Sequence, residues 1–305
     1  MVLHNNIIVD KTKNEMSVIS KCLAGGIGCG LAGFLTNPCD VIKVRNQQFI
    51  DLPQYQSFRI TFSTILKEEG IKGFYKGAAA SVLRECTYSS LRMGLYDPIK
   101  SQYSILFNNN YDDGHSPIIK WLSAFTSGAI GSAIFNPIDV VKVRFQSQLP
   151  NAPPPFTSLF NAFYTINAEK GLRGLYIGTT PTVTRAAFLT SAQLGSYDII
   201  KNNIFVQIFG FDKEANTTHL HASIIASVIT TTAANPADVV KTRVMNDPHG
   251  IIGGPRNHMA HIWRANGIRG FMKGWTASYF RIGPHTVISF VLIEKVRQII
   301  GMSTY

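Results

Sequence analysis

Three recurring pairs of an acid and a base are the residues whose types and spacing best suit them for chemistry. In each pair the acid comes two residues, and the base five residues, after the proline of an Asn-Pro dipeptide. The pairs are Asp40 and Lys43, Asp139 and Lys142, and Asp238 and Lys241. Acid and base one helical turn apart can pair locally, for about 0.3 to 0.5 kcal/mol. Because the pair recurs in three segments, we instead expect ion pairs between helices: Asp40 with Lys142, Asp139 with Lys241, and Asp238 with Lys43.

Arginines inside apolar segments form a second set. Arg84, Arg185 and Arg281 each follow, by seven residues, a glycine that ends a repeated phrase. Polar residues one or two turns further along the same helix faces are Tyr88, Arg92, Gln193 and His285. Ionisable residues in a membrane helix usually face a water-filled path, and arginine binds a carboxylate through two parallel hydrogen bonds. With Glu85 as the only nearby acid, this pattern predicts a site for a small anion with more than one negative group. His285 would either add a hydrogen bond to that anion or satisfy a backbone carbonyl.

A further acid and base end each repeated unit. The acids Asp97, Asp198 and Glu294 are followed three residues later by Lys100, Lys201 and Arg297. Tyr96 and Tyr197 precede two of the acids, whereas Ile293 precedes the third. Pairing between units would join Asp97 with Lys201, Asp198 with Arg297, and Glu294 with Lys100. We expect these pairs to form a second network at the far ends of the second apolar segments, separate from the pairs near the prolines, and we call it the upper network.

All of these residues belong to a unit that occurs three times. Its prolines, at positions 38, 137 and 236, are 99 residues apart, and a Gly-x-x-Gly-Phe/Leu-x-x-Gly phrase follows each of them. Each unit reads as a long apolar segment broken by its proline, a polar loop with a short helix, and a second apolar segment. A bilayer crossing takes about 20 residues, and these segments are long enough. We therefore expect an N-terminal tail at residues 1–16 and two-crossing repeats at 17–113, 114–212 and 213–305.

The composition agrees with a membrane protein and argues against several other classes. Of the 305 residues, 45% are hydrophobic and 15% charged, whereas soluble proteins have about a quarter charged. The net charge of +11 does not indicate nucleic-acid binding, because the basic residues occur singly inside apolar segments. The four cysteines form no CxxC pair, so we expect neither a disulfide framework nor a metal site. The first 16 residues resemble neither a secretory signal nor a cleavable transit peptide.

A dinucleotide-binding fingerprint, Gly-x-Gly-x-x-Gly, is present at Gly28, Gly30 and Gly33. That motif functions only between a strand and a helix. Here it lies in the middle of an apolar helical segment, so we expect close packing of helices through small residues instead. The sequence has no Ser-His-Asp set, metal-ligand cluster or phosphate-binding loop, and we expect neither an enzyme nor a bound cofactor.

Over essentially the whole chain, the Pro-x-Asp-x-x-Lys-x-Arg phrase and the glycine phrase resemble the mitochondrial carrier family. Residues 83–96 and 192–198 are similar to the dicarboxylate, oxoglutarate and uncoupling-protein group of that family. Glu85 departs from the group, which commonly has glutamine there. The resemblance implies an all-α membrane protein with six transmembrane helices. It also implies a pseudo-threefold barrel of three two-helix repeats, with short helices on the matrix side.

The resemblance implies roles for the charged residues as well. The pairs near the prolines would close the matrix side, braced by Gln47 and Gln146, and the upper network would close the cytoplasmic side. Met245 stands where the other repeats have a glutamine, and Ile293 stands where they have a tyrosine. The loss of these two supporting side chains predicts somewhat weaker gates.

The expected protein is thus a monomeric, multi-pass carrier of the mitochondrial inner membrane, in contact with membrane lipid such as cardiolipin. It would exchange small anionic metabolites, such as dicarboxylates, by alternating access. Two alternatives remain open. One is a proton or anion leak of the uncoupling type, and the other is an amino-acid carrier in which Glu85 holds an ammonium group.

Overall fold

In the computed structural model, the described residues are 22–49, 52–107, 116–149, 156–199, 216–247 and 252–299. Within these ranges the chain is helical, with turns and short loops but no strand, as the sequence predicts. The tail predicted at residues 1–16 and the predicted repeat boundaries lie outside the described ranges.

Each repeat contains a first helix, a shorter helix and a second long helix. The first repeat comprises α1 (Cys22–Leu35), α2 (Asn37–Gln48), a 3₁₀ turn (Pro53–Tyr55), α3 (Phe58–Glu68), α4 (Gly70–Gly73) and α5 (Ala78–Leu106). The second comprises α6 (Pro117–Ile134), α7 (Asn136–Gln146), α8 (Leu159–Leu175) and α9 (Thr179–Ile199). The third comprises α10 (Asn216–Met245), α11 (Pro255–Phe271) and α12 (Trp275–Ile299). The second long helix of one repeat packs on the first helix of the next, α5 on α6 and α9 on α10, and α12 packs on α2.

Pro38 and Pro137 mark breaks in the first helices of the first two repeats. Pro38 is the second residue of α2, whose axis is bent by 65° from that of α1, and Pro137 stands at the same place in α7, bent by 67° from α6. Pro236 lies inside α10. Proline cannot donate a helical hydrogen bond and its ring clashes with the preceding turn, which accounts for the bends.

The asparagine before each proline binds the chain just before the second long helix of the same repeat. Its side-chain amide donates to a backbone carbonyl there. The three bonds run from Asn37 to Phe74 (2.8 Å), from Asn136 to Leu175 (3.1 Å) and from Asn235 to Phe271 (2.7 Å). Each repeat therefore holds its two long helices together at the level of its proline.

The last glycine of each repeated phrase lies against the next repeat. Gly77, Gly178 and Gly274 have φ angles of 72°, 83° and 72°, in the left-handed region that side chains disfavour. A Cβ atom on these glycines would lie 3.1 Å from Phe145, 2.9 Å from Met245 and 2.9 Å from Gln47, respectively. Both the backbone conformation and the close approach require glycine.

The glycines of the dinucleotide-like motif are helix-packing residues, as predicted. A Cβ on Gly30 would lie 2.3 Å from the Cys86 Sγ of α5, and one on Gly28 would lie 2.9 Å from the backbone nitrogen of Ile293 in α12. The motif therefore lets α1 approach both neighbouring helices closely.

Small apolar cores anchor the shorter helices. Ile65 of α3, Ile166 of α8 and Ile262 of α11 are almost fully buried, and each packs against valines of the segment that follows a proline. These contacts hold the short helices α3, α8 and α11 against the segments that follow the prolines.

No single described helix is long and apolar enough to cross a membrane on its own. Two bent pairs reach that length and composition together: Cys22–Leu35 with Asn37–Gln48, and Ile118–Ile134 with Asn136–Gln146.

Candidate functional site

Three ion pairs connect the segments that follow the prolines. Lys142 binds Asp40, Lys241 binds Asp139 and Lys43 binds Asp238, each with 2.7 Å between Nζ and Oδ2. All six side chains are between 5% and 11% exposed. The structure thus makes the three pairs between repeats that the sequence predicts, and none of these bonds lies within one helix.

The three arginines at equivalent positions of the second long helices bind the same aspartates, which the sequence did not predict. The Nε atom of Arg84 lies 3.0 Å from Oδ1 of Asp139, and that of Arg281 lies 2.6 Å from Oδ1 of Asp40. Arg185 contacts Oδ1 of Asp238 in the same way. Both oxygens of each aspartate are therefore paired, which buried carboxylates need to offset their lost hydration.

The nine residues follow a cyclic order, and we call them the charge ring. Each aspartate binds a lysine of the next repeat and an arginine of the preceding repeat, where the first repeat counts as the one that follows the third. The members of the charge ring are Asp40, Asp139, Asp238, Lys43, Lys142, Lys241, Arg84, Arg185 and Arg281. Every repeat is thereby bonded to both others.

Glu85 adds a fourth carboxylate at the edge of the charge ring. Its Oε1 accepts from Nη1 of Arg84 at 2.7 Å and from Nη2 of Arg281 at 3.2 Å, and the residue is 5% exposed. The expectation that Glu85 is the only acid near the arginines was wrong, because the aspartates lie within reach of the guanidinium groups. Six cations face four carboxylates, so the cluster has an excess of two positive charges.

The charge ring encloses little space. The cavity between its side chains measures about 50 Å³. Small-molecule sites usually measure about 300 to 1,000 Å³, so a cavity of this size has room for water but not for a dicarboxylate. In this conformation the path between the described helices is closed at the level of the aspartates.

Comparison with known proteins decides the family. The family model described as "Mitochondrial carrier protein" matches the chain three times, over residues 14–105, 113–207 and 212–304. The chain belongs to the mitochondrial carrier family. Members of this family are transporters, not enzymes.

Relatives align with this carrier over nearly their full lengths. A "Mitochondrial substrate carrier family protein ucpB" of Dictyostelium discoideum is 37% identical, over 95% of the chain and 98% of the relative. "Mitochondrial uncoupling protein 2" of Arabidopsis thaliana is 33% identical, over 95% and 96%. A "Putative mitochondrial transporter UCP3" of Sus scrofa is 33% identical, over 91% of each chain.

Of the other residues predicted to bind substrate, Tyr88 lies beside the charge ring of the carrier. The ring of Tyr88 stacks on the Arg84 guanidinium, whose central carbon is 4.6 Å from the ring centroid. Tyr88 therefore orients Arg84. Arg92, two turns further along α5, is exposed. The Gln193 side chain lies outside the described part of the carrier.

His285 lies on α12, one turn beyond Arg281. Its Nδ1 is 3.3 Å from Oγ of Ser289, and its Nε2 has no hydrogen-bond partner among the described residues. The described partner of the ring is thus a serine hydroxyl and not a backbone carbonyl, and a hydrogen bond from His285 to a bound anion stays a prediction.

The glutamines of the carrier do not brace the ion pairs, so that expectation was wrong. Gln47 accepts a hydrogen bond from Thr242 (2.9 Å), and Gln146 donates to Asn37 (3.1 Å) and Ser81 (3.2 Å). Both glutamines lie one helical turn beyond their lysines and face the neighbouring repeat. They join the repeats to each other instead of supporting the aspartates.

The upper network lies largely outside the described part of the carrier. Asp97 is exposed, and Tyr96 and Lys100 are partly exposed. The other members fall on undescribed positions, namely the side chains of Tyr197, Asp198, Glu294 and Arg297, and the whole of Lys201. Each predicted pair includes at least one of these positions, so the upper network stays a prediction.

Sequence reasoning missed the role of the second basic residue in each proline phrase. The Nε atoms of Arg45, Arg144 and Arg243 donate to backbone carbonyls at the end of the corresponding helix in the next repeat, at 3.3 to 3.4 Å. Their recurrence in all three phrases was the available signal. In the first repeat this contact is extended, because Arg45 also binds Glu69 (2.5 Å), which binds Lys76 (2.5 Å).

The Glu69 carboxyl lies in the loop region between the long helices. Burial alone would raise the pKa of Glu69, but the hydrogen bonds from Arg45 and Lys76 outweigh it and lower the pKa below its usual value.

Among the described residues, no group of three histidine, cysteine or acidic side chains is arranged to hold a metal ion.

Proposed function

We propose that this carrier exchanges small dicarboxylates, or the related oxo acids, across the mitochondrial inner membrane by alternating access. In this proposal, six helices cross the bilayer as a pseudo-threefold barrel of three two-helix repeats. The charge ring is the matrix gate in its closed state, and the upper network is the cytoplasmic gate. The carrier acts as a monomer in contact with cardiolipin and needs no cofactor.

The observation that carries the proposal is the charge balance at the charge ring. With Glu85 included, the cluster has two positive charges in excess, and three of its six cations are arginines whose planar groups suit carboxylates. A dianion would neutralise this excess. Bare in hydrocarbon, the same dianion would cost tens of kcal/mol.

The shared aspartates suggest how binding could open the gate. Each aspartate is held by a lysine and an arginine together. A substrate carboxylate that takes an arginine would leave its aspartate with the lysine alone. Water that enters with the substrate would expose the remaining pairs, and because an exposed ion pair is worth only about 0 to 1 kcal/mol, these pairs would then separate readily.

The distribution of apolar residues supports a lipid environment. Leu23, Ile27, Leu31 and Leu35 lie four residues apart on α1, and all are exposed, whereas the side chains of the charge ring are at most 16% exposed. This arrangement is the reverse of that in a soluble protein. The mitochondrial location is supported by the names of the relatives.

Exchange can be tested with the purified carrier in liposomes. We expect uptake of labelled oxoglutarate to be stimulated by internal malate. Arg185→Lys keeps the charge but loses the planar fork, so it should lower uptake at limiting substrate by about 10- to 100-fold, as expected for a loss of charge-assisted hydrogen bonds. Arg173→Lys, at an exposed position of α8, is the matched control. Absence of counter-substrate stimulation would refute exchange, and wild-type rates in Arg185→Lys would refute its part in binding.

An uncoupling-type leak is the second candidate, because relatives over the whole chain are named uncoupling proteins. The same liposomes distinguish the two functions. A leak predicts fatty-acid-dependent loss of a pH gradient without solute exchange. The amino-acid alternative has less support, because Glu85 is already bound by two arginines and is not free for an ammonium group.

A further inference from the structure

Glu85 is the one carboxylate of the cluster that does not follow the threefold pattern. The matching residues of the other repeats, directly after Arg185 and Arg281, are Ala186 and Ile282. Glu85 is buried, and its stem occupies space that a glycine provides, since a Cβ on Gly33 of α1 would lie 2.9 Å from its Cγ. The sequence and the packing thus place one additional negative charge in the first repeat alone.

The carboxylate of Glu85 contacts two of the three arginines of the charge ring. Glu85 accepts from Arg84 and Arg281, while Arg185 is held by Asp238 in the described structure. Arginine binds carboxylates through paired hydrogen bonds, so a substrate carboxylate would compete with Glu85 for the same two guanidinium groups. Glu85 therefore occupies one position that an anionic group could otherwise fill.

We propose that Glu85 is a built-in counter-charge that makes the site select dianions over trianions. Resting on the proposed function, this inference concerns the charge of the transported anion. With Glu85 the excess at the cluster is two positive charges, and without it the excess would be three. A trianion bound beside ionised Glu85 leaves one negative charge uncompensated near a carboxylate, where like charges repel.

The test measures uptake of labelled oxoglutarate and labelled citrate by liposomes at pH 7.5. We expect Glu85→Gln to shift the ratio of the two rates toward citrate by about 10-fold or more, since one unit charge a few ångströms away acts on the anion. Glu85→Asp should keep the wild-type ratio. Glu68→Gln removes an exposed charge at the end of α3 and is the control for loss of a negative charge elsewhere.

A second variant tests the inference in the opposite direction, should Glu85→Gln fail to fold. Ala186→Glu places a carboxylate next to Arg185 and should shift the preference from oxoglutarate toward a monoanion such as pyruvate. An unchanged oxoglutarate-to-citrate ratio in folded Glu85→Gln, or an unchanged preference in Ala186→Glu, overturns the inference while leaving the proposed function standing. If the wild-type carrier takes up none of these anions, the proposed function itself fails.

Discussion

Removing an aspartate from the charge ring should destabilise the carrier more than removing the lysine bonded to it. Asp40→Asn leaves two buried cations, Lys142 and Arg281, without their shared carboxylate. Lys142→Met leaves Asp40 still bound by Arg281 at 2.6 Å. Both substitutions break the ion pair between Asp40 and Lys142. A difference in stability between the two variants therefore measures the contribution of the bond between Asp40 and Arg281.

The magnitudes follow from the burial of the pair. Breaking a buried ion pair by removing one partner costs about 3 to 5 kcal/mol. Both side chains are below 10% exposed, so this range applies without discounting for solvent. We expect the loss of stability in Asp40→Asn to lie near the upper end of this range, and that in Lys142→Met to lie near its lower end. A difference of about 2 kcal/mol corresponds to about 30-fold in the unfolding equilibrium and to about 3 °C in the unfolding midpoint.

The free cysteines of the carrier provide the assay. All four are partly buried in helices and would react with a maleimide dye as the protein unfolds on heating: Cys22, Cys29, Cys39 and Cys86. Glu68→Gln and Lys67→Met change exposed charges of α3 and should stay within about 0.5 kcal/mol of the wild type. Equal midpoints for Asp40→Asn and Lys142→Met would refute the reasoning, since they would show that Arg281 contributes nothing to holding Asp40.

Two further predictions concern the surroundings of the charge ring. The pKa of Glu69 is below its usual value, so the bond to Arg45 stabilises the fold above pH about 4.3 and is lost as the pH falls through the lowered pKa. Glu69→Gln should therefore flatten the acid side of a curve of unfolding midpoint against pH, and an unchanged curve would contradict this. Gly28→Ala should destabilise the carrier by about 1 to 3 kcal/mol, because its methyl group would meet backbone of α12 at Ile293. Gly283→Ala, on the same α12 but with open space around it, should be neutral or stabilising by up to about 1 kcal/mol, and a similar loss in both would show that contact with α12 is not the cause.

The lysine pairs were predictable because the repeat itself contains the information. Three copies of Pro-x-Asp-x-x-Lys at one spacing place equivalent acids and bases at one level, and a closed arrangement then requires partners from different repeats. The helix-packing role of Gly28 and Gly30 was predictable for a similar reason, since an apolar helix has no strand to position a pyrophosphate.

The arginine bonds were not predictable, because they depend on the relative height of two helices. Spacing along the chain gives Arg84 a position on α5 and Asp139 a position on α7, but not the axial offset between them. A long side chain reaches across such an offset, and in the structure it reaches the aspartate. The partners of Gln146 escaped prediction for the same reason, because they lie on α2 and α5, beyond its own repeat.

The cyclic order has a consequence for how the sequence can vary. The partner of each ring lysine is 102 or 195 residues away along the chain, and never on the adjacent turn. The loss of the positive charge at Lys142 would thus affect Asp40, which lies in a different repeat. Second-site suppressors of substitutions in the charge ring should accordingly be sought about one or two repeat lengths away.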